Sequence, residues 1–307
     1  MKGPEDLIKR HLYGLGFDIV GIASLLDFPS PDVRERVLRW VEEGRAAGMD
    51  WFAESLELRF DPDKLLPGAA SAIVVALGYG RRRVNPSLPI SRYATRRDYH
   101  RVFRGLLRKF VRWAERNLGG RYRIFSDSAP ILERELAVRA GLGWIGKSSL
   151  LITPEFGPNV LLGGVLTDLL LIPDSPFPYD RCGTCDRCVR ACPTGAILPN
   201  RSVDANRCIS YWTVEYRGEE FPPGVDTHGW IFGCDVCTDV CPWTGRSPSL
   251  ANPHLRAKEE RFRDISPRDF LRMDEEEFRR RFAGTPVMRA GLAGMRRNVK
   301  AALKDPP

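Results

Sequence analysis

CGTCDRCVRACP, residues 182–193, returns in shortened form as CDVCTDVCP, residues 234–242, and Cys208 stands between the two. Together they hold all eight cysteines of the 307-residue chain. Aligned, the copies share a CDxCxxxCP unit at 185–193 and 234–242, and Cys208 makes up for the outermost cysteine that the second copy lacks. A cubane cluster needs four soft thiolates arriving from different directions. Two-residue gaps wrap the chain round three corners, and the three-residue gap carries the next cysteine to a second cluster. The spacing therefore predicts two [4Fe–4S] clusters. Cys182, Cys185, Cys188 and Cys241 are expected to hold one, and Cys192, Cys208, Cys234 and Cys237 the other. The proline after each last cysteine lacks an N–H and turns the chain. Structural zinc favours separated CxxC pairs, which a run of four before proline fits badly. Disulfides need an oxidising compartment, and no secretory signal opens the sequence.

A two-cluster module needs only a fraction of this length, so the residues before Cys182 call for a domain of their own. No apolar run is long enough to span a bilayer, and reduced cysteines point to the cytoplasm. Charge is unevenly spread. The net charge is +8, yet residues 81–112 carry eleven Arg and Lys against the single acid Asp98. One reading is a solvated helix face with its acids elsewhere. The other is a footprint for a polyanion such as RNA, since arginine forks onto phosphate.

Along the chain, residues 4–15 read as a helix opened by Pro4, 17–23 as a short strand, and 32–47 as an amphipathic helix around Val33, Val37, Leu38 and Val41. AIVVAL, residues 72–77, reads as a buried central strand. Residues 98–118 read as a long basic helix, apolar at Val102, Phe103, Leu106, Leu107, Phe110, Val111 and Trp113. Ile124 and Phe125 end a strand, 130–140 is helical, and strands follow at 149–152 and 160–171. Asp127 and Ser128 fall at the strand-to-helix junction, where either would cap a helix N-terminus. The tail reads as helices at 266–278 and 285–303. There is no P-loop, GxGxxG or HExxH.

Four blocks carry a resemblance to a known family: SRYATRRDYH (91–100), SDSAPILERELAVRAGLGWIGKSSLLITPEFG (126–157), CGTCDRCVRACPTGAI, and CISYWTVEYRG leading to GCDVCTDVCPW. The chain resembles the epoxyqueuosine reductases. The resemblance implies an α+β fold: a nitroreductase-like cobalamin-binding domain at 1–172, a two-cluster ferredoxin-like domain at 173–250, and a short helical tail at 251–307. It implies base-off cobalamin fed with electrons by the two clusters, and reduction of epoxyqueuosine to queuosine at the tRNA wobble position. Asp127 falls on the family's catalytic aspartate, the proton donor to the departing oxygen. Such a donor needs a raised pKa, which an apolar pocket could supply. Ser91, Asp127, Leu151, Leu162, Val165 and Ser210 are the implied cobalamin contacts, and Arg96, Arg97 and Arg101 the implied tRNA contacts. A monomer, fed by an electron donor not named by the sequence, is expected.

The sequence departs from the family's FLGEIL pattern, with Gly164 in place of the glutamate. Longer members continue into a helical-repeat domain. This sequence ends at Pro307, so the basic helix and tail are expected to provide the grip on tRNA. Two other readings stand beside the enzyme: a corrinoid iron–sulfur reductase of a small halogenated or epoxide substrate, and a non-catalytic electron carrier in which Asp127 is only a cap.

Overall fold

The computed structural model describes residues 3–177 and 179–304. Its centre is an antiparallel sheet of four strands, β1 (Ile19–Ser24), β2 (Ser71–Gly78), β3 (Tyr122–Phe125) and β6 (Val160–Thr167), in the order β1-β2-β6-β3. A two-residue pair, β4 (Trp144–Ile145) and β5 (Leu151–Ile152), lies apart from it. Helices cover both faces, which makes the fold α+β.

Strand β2 is buried along its whole length because it has a hydrogen-bonded neighbour on each side and helices above and below. Its alternate residues divide between two cores, as a period of two requires. Ile73, Val75 and Leu77 face α1 (Pro4–Gly14) and α5 (Tyr99–Asn117). Ala72, Val74 and Ala76 face Leu136 and Ala137 of α6 (Glu133–Arg139). The small side chains on the second face let α6 come close. A Cβ on Gly21 of β1 would stand 2.2 Å from the Ala140 carbonyl oxygen. On α5, Val102, Phe103, Leu106, Leu107 and Phe110 are buried, each contributing about 1.5–3 kcal/mol relative to exposure.

Several elements differ from the sequence expectation. The second helix, α2, runs Pro31–Glu42 and buries none of its residues fully, followed by two unanticipated short helices, α3 (Asp50–Glu54) and α4 (Leu56–Phe60). Helix α6 begins at Glu133, with Leu132 at its N-cap. The capping role for Asp127 and Ser128 is therefore corrected: five residues of loop, 128–132, separate Asp127 from the first turn. Gly164 has no room for a side chain, since a Cβ there would lie 2.3 Å from the Ile73 carbonyl oxygen and 2.4 Å from the Phe125 ring.

Beyond the sheet, α7 (Arg187–Ala191) and α8 (Val236–Asp239) are the short turns inside the two cysteine copies, and they pack on each other. The tail forms α9 (Asp269–Arg272), α10 (Glu275–Phe282) and α11 (Gly291–Lys304). A break at Met273 and Asp274 splits the expected first tail helix, because the Asp274 side chain caps α10. Phe262, Phe270, Phe278, Phe282 and Met295 build one core with Leu88, Ile90, Val214 and Phe232. The tail is thus closed onto the middle of the chain.

Candidate active site

Helix α5 starts at its N-cap Asp98, whose carboxylate accepts from the His100 N–H. The same carboxylate lies 2.8 Å from His100 Nδ1, and His100 Nε2 lies 3.0 Å from Asp127 Oδ2. The imidazole is thus clamped between two acids, with the Tyr99 ring stacked on it at 4.1 Å. Asp127 occupies the left-handed region at φ 53°, which costs a non-glycine residue about 1 kcal/mol. The Glu133 carboxylate holds it there by accepting the Asp127 N–H at 2.6 Å. The Asp127 side chain remains 53% exposed and stands beside a recess of about 250 Å³ lined by His100, Arg104, Arg123, Ser126 and Ser128.

Burial alone would lower the His100 pKa, but the hydrogen bonds with Asp127 and Asp98 outweigh it and raise the value to about 9. Burial pushes Asp127 up, yet the hydrogen bond and charge of His100, then Arg289 and Tyr99, bring it below the ordinary carboxylate value. The expected raised pKa at Asp127 is therefore corrected: in the resting site Asp127 is the carboxylate, and the proton sits on His100. Glu133 is pushed to about 8, first by burial and then by the Asp127 charge. Arg289, from the tail, forks onto Glu215 at 2.6 and 2.5 Å, and its charge is felt at Asp127.

The eight cysteines fall into two neighbourhoods. Burial raises the Cys188 thiol first, and then Cys182 and Cys241 beside it; Cys241 in turn feels Cys182 and Cys185. Cys234 is pushed up to about 12, again first by burial, with Cys208 and Cys192 among its neighbours. Cys237 feels Cys234 and Cys208, and across the gap Cys188. Among the described residues no three His, Cys, Asp or Glu side chains meet at the spacing of a single metal ion. Backbone N–H groups already point at the sulfurs. Ala196 donates to Cys192 Sγ at 3.3 Å, and the Tyr211 and Ser210 amides lower Cys208. The donor set fits two clusters, since such bonds tune cluster potentials.

Other expected site residues are placed differently. Arg96 is fully buried, ion-paired with Glu259 at 2.9 Å and donating to the Tyr79 and Arg82 carbonyls. It cannot reach RNA, and that reading is corrected. Arg97 and Arg101 are exposed. Ser91, Leu151 and Val165 are closed off at 3, 3 and 0% exposure. Ser91 Oγ donates to Asp235 at 2.5 Å, and Val165 lies inside the core with Phe103. None of the three is open to a corrin. Leu162 and Ser210 are half-buried, and the Leu162 carbonyl accepts from Ser126, next to Asp127. Sequence reasoning missed His100, Glu133 and Arg289. The first lay in a quoted block as the residue after the Asp98 cap and Tyr99. Glu133 likewise lay in the quoted block 126–157, whereas nothing quoted marked Arg289.

Residues 181–244 match the family described as a 4Fe-4S double cluster binding domain, and residues 59–128 match Epoxyqueuosine reductase QueG, DUF1730. An epoxyqueuosine reductase of Gloeobacter violaceus is 38% identical, covering 96% of this chain and 94% of its own. The chain belongs to the epoxyqueuosine reductase family. A solved family member bound to an epoxyqueuosine-modified stem loop of tyrosine tRNA superposes with TM-score 0.83 at 26% identity, covering 97% of this chain and 80% of that one. A Bacillus subtilis epoxyqueuosine reductase, also 26% identical over 97% of this chain and 80% of its own, has TM-score 0.80. It is described with its aspartate-bearing catalytic loop swung out of the active site.

Proposed function

We propose that the chain reduces epoxyqueuosine to queuosine at the wobble position of tRNA. The observation that carries the proposal is likeness to epoxyqueuosine reductases along 96% of the chain, with Asp127 standing at an open recess. The reaction removes the epoxide oxygen as water: both C–O bonds break, a C=C bond forms, and two electrons and two protons are consumed. When bound, the two clusters and a base-off cobalamin supply those electrons singly. Cys182, Cys185, Cys188 and Cys241 hold one cluster, and Cys192, Cys208, Cys234 and Cys237 the other, as their two neighbourhoods favour. Leu162, Ser210 and Asp127 line the corrinoid's place.

The chain's own residues handle the proton. Asp127 is directed to the oxygen by Glu133, which fixes its backbone, and by His100, which fixes its carboxylate. It receives a proton and passes it to the departing oxygen. Arg101, Arg104, Arg108, Lys109 and Arg112 lie exposed along the outer side of α5. Of these only Arg101 forms a salt bridge among the described residues, with Asp98 at 3.7 Å. This row leads to the recess and favours a nucleic acid over a small neutral substrate. The nitroreductase-like domain at 1–172, the ferredoxin-like domain at 173–250 and the tail at 251–307 belong to the same proposal, as does a cytoplasmic monomer served by a separate electron donor.

The test is nucleoside mass analysis of epoxyqueuosine-containing tRNA incubated without oxygen with the reconstituted protein, cobalamin and a strong reductant. Cobalamin-dependent appearance of queuosine is expected. Intact clusters without conversion would overturn the tRNA reading.

A further inference from the structure

The reaction consumes two protons for each oxygen removed, yet Asp127 rests without one. A carboxylate in that state needs a neighbour that holds a proton at working pH and touches it directly. We propose that His100 is this proton store: clamped between Asp98 and Asp127, its Nε2–H recharges the Asp127 carboxylate that protonates the leaving oxygen. The inference rests on the reading above and deepens it. His100 acts through Asp127 and is a positioning residue, not a catalytic one.

Geometry singles it out. His100 Nε2 is 3.0 Å from Asp127 Oδ2, and Nδ1 is 2.8 Å from Asp98 Oδ1. Asp98 keeps the Nδ1–H, so the proton released is the one on Nε2, the side facing Asp127. Other groups face the same point. From its own helix start these are Tyr99 and Arg101, from the segment before it Tyr93, whose phenol burial holds above its ordinary value, from the Asp127 loop and α6 Glu133 and Arg134, from α4 Arg59, from the tail Arg289 with Glu215, and from the recess wall Arg104 and Arg123. The arginines do not release protons. The Tyr99 phenol is held well above its ordinary value, first by burial, and keeps its own. Glu133, raised to about 8, also holds a proton at neutral pH, but its carboxyl oxygen accepts the Asp127 backbone N–H and no hydrogen bond joins it to the Asp127 carboxylate. His100 remains, and its value near 9 leaves it charged at neutral pH.

The step balances. As the epoxide oxygen departs, the His100 Nε2–H bond breaks and an O–H bond forms on Asp127. That O–H bond breaks in turn as its proton passes to the oxygen, which returns Asp127 to the carboxylate and leaves His100 neutral. Neutral His100 then takes a proton from solvent through the open recess, and the second proton follows the same route. The electrons come from the clusters and balance the two C–O bonds lost.

The chain has only four histidines, so labelled imidazole gives four signals by NMR, and His100→Gln identifies one by its loss. In the cluster-loaded protein without tRNA, the His100 signal is expected to titrate near 9. Asp98→Asn and Asp127→Asn should each lower that midpoint by about 1 unit or more, as loss of an adjacent opposite charge does. Asparagine still caps a helix, so Asp98→Asn leaves α5 in place. Turnover should show an alkaline limb near the same pH, shifted down in Asp98→Asn. In His100→Gln the limb should vanish and kcat fall about 100-fold. A His100 midpoint near the ordinary value, or an alkaline limb unmoved by Asp98→Asn, would overturn the proposal. A protein that never converts epoxyqueuosine overturns the reaction reading instead, and the titration decides the store without substrate.

Discussion

His100 and Asp127 tie folding to pH as well as to chemistry. His100 has a folded value raised to about 9 against about 6.5 unfolded. Its contribution to stability is full below about 6.5, declines above that, and is gone once pH passes about 9. Asp98 and Asp127 are shifted the other way, their rises from burial outweighed by His100. Their contribution is present above the unfolded carboxylate value and lost as pH falls through the folded ones. Unfolding midpoints in denaturant should therefore drop from neutral to alkaline pH, and His100→Gln should flatten that drop; an equal drop in the variant would mean the clamp carries no linkage. Gly164 gives a second test. Glutamate there meets the Ile73 carbonyl and the Phe125 ring, and overpacking should cost at least about 2 kcal/mol in urea unfolding. The sequence displayed the departure at Gly164, but its cause is a ring from another strand.

Among the elements, those with strong periodicity were readable. Helix α5, the buried β2 and the cysteine turns follow from spacing alone, because each is set by neighbours close in sequence. The α6 start was misread because Asp127 and Ser128 look like caps, while the site uses them for a strained loop. The segment 91–96 was misread in another way. Its arginines suggested phosphate, yet Arg92 and Arg96 point inward to acids far along the chain. Ser91, the Arg92 N–H and the Arg92 and Arg83 guanidinium groups converge on Asp235, which is 2% exposed and adjoins Cys234. Removing one member of a buried ionic set leaves the rest uncompensated. Asp235→Ala should cost about 3–5 kcal/mol and reduce iron retained by the neighbouring cysteines. Denaturant unfolding and iron analysis read the two effects separately, and a variant with full iron and unchanged stability would show that this knot holds nothing together.

At the scale of the molecule, charge is sorted by depth. Of the basic residues at 81–112, Arg92 and Arg96 neutralise buried acids, whereas Arg104, Arg108, Lys109 and Arg112 face solvent with no salt bridge among the described residues. Composition reports only the sum, so this division could not be read before folding. The outer row is positioned for phosphates because α5 needs its other side for the core, and the helix starts at the residues that clamp Asp127. Each exposed cation that meets a phosphate releases a counterion, so removing it lowers the slope of log affinity against log salt by about 0.7–0.9. Arg104→Ala and Arg108→Ala should each weaken binding of the anticodon stem loop, reduce that slope, and leave unfolding unchanged. Arg96→Ala should do the reverse, destabilising the fold because the buried Glu259 is left with Arg82 alone, while the folded fraction keeps the wild-type salt slope. Filter binding over a salt series, paired with denaturant melts, separates the two. Equal slopes in Arg104→Ala and the parent chain would place the RNA on another face and leave the row on α5 as solvated charge.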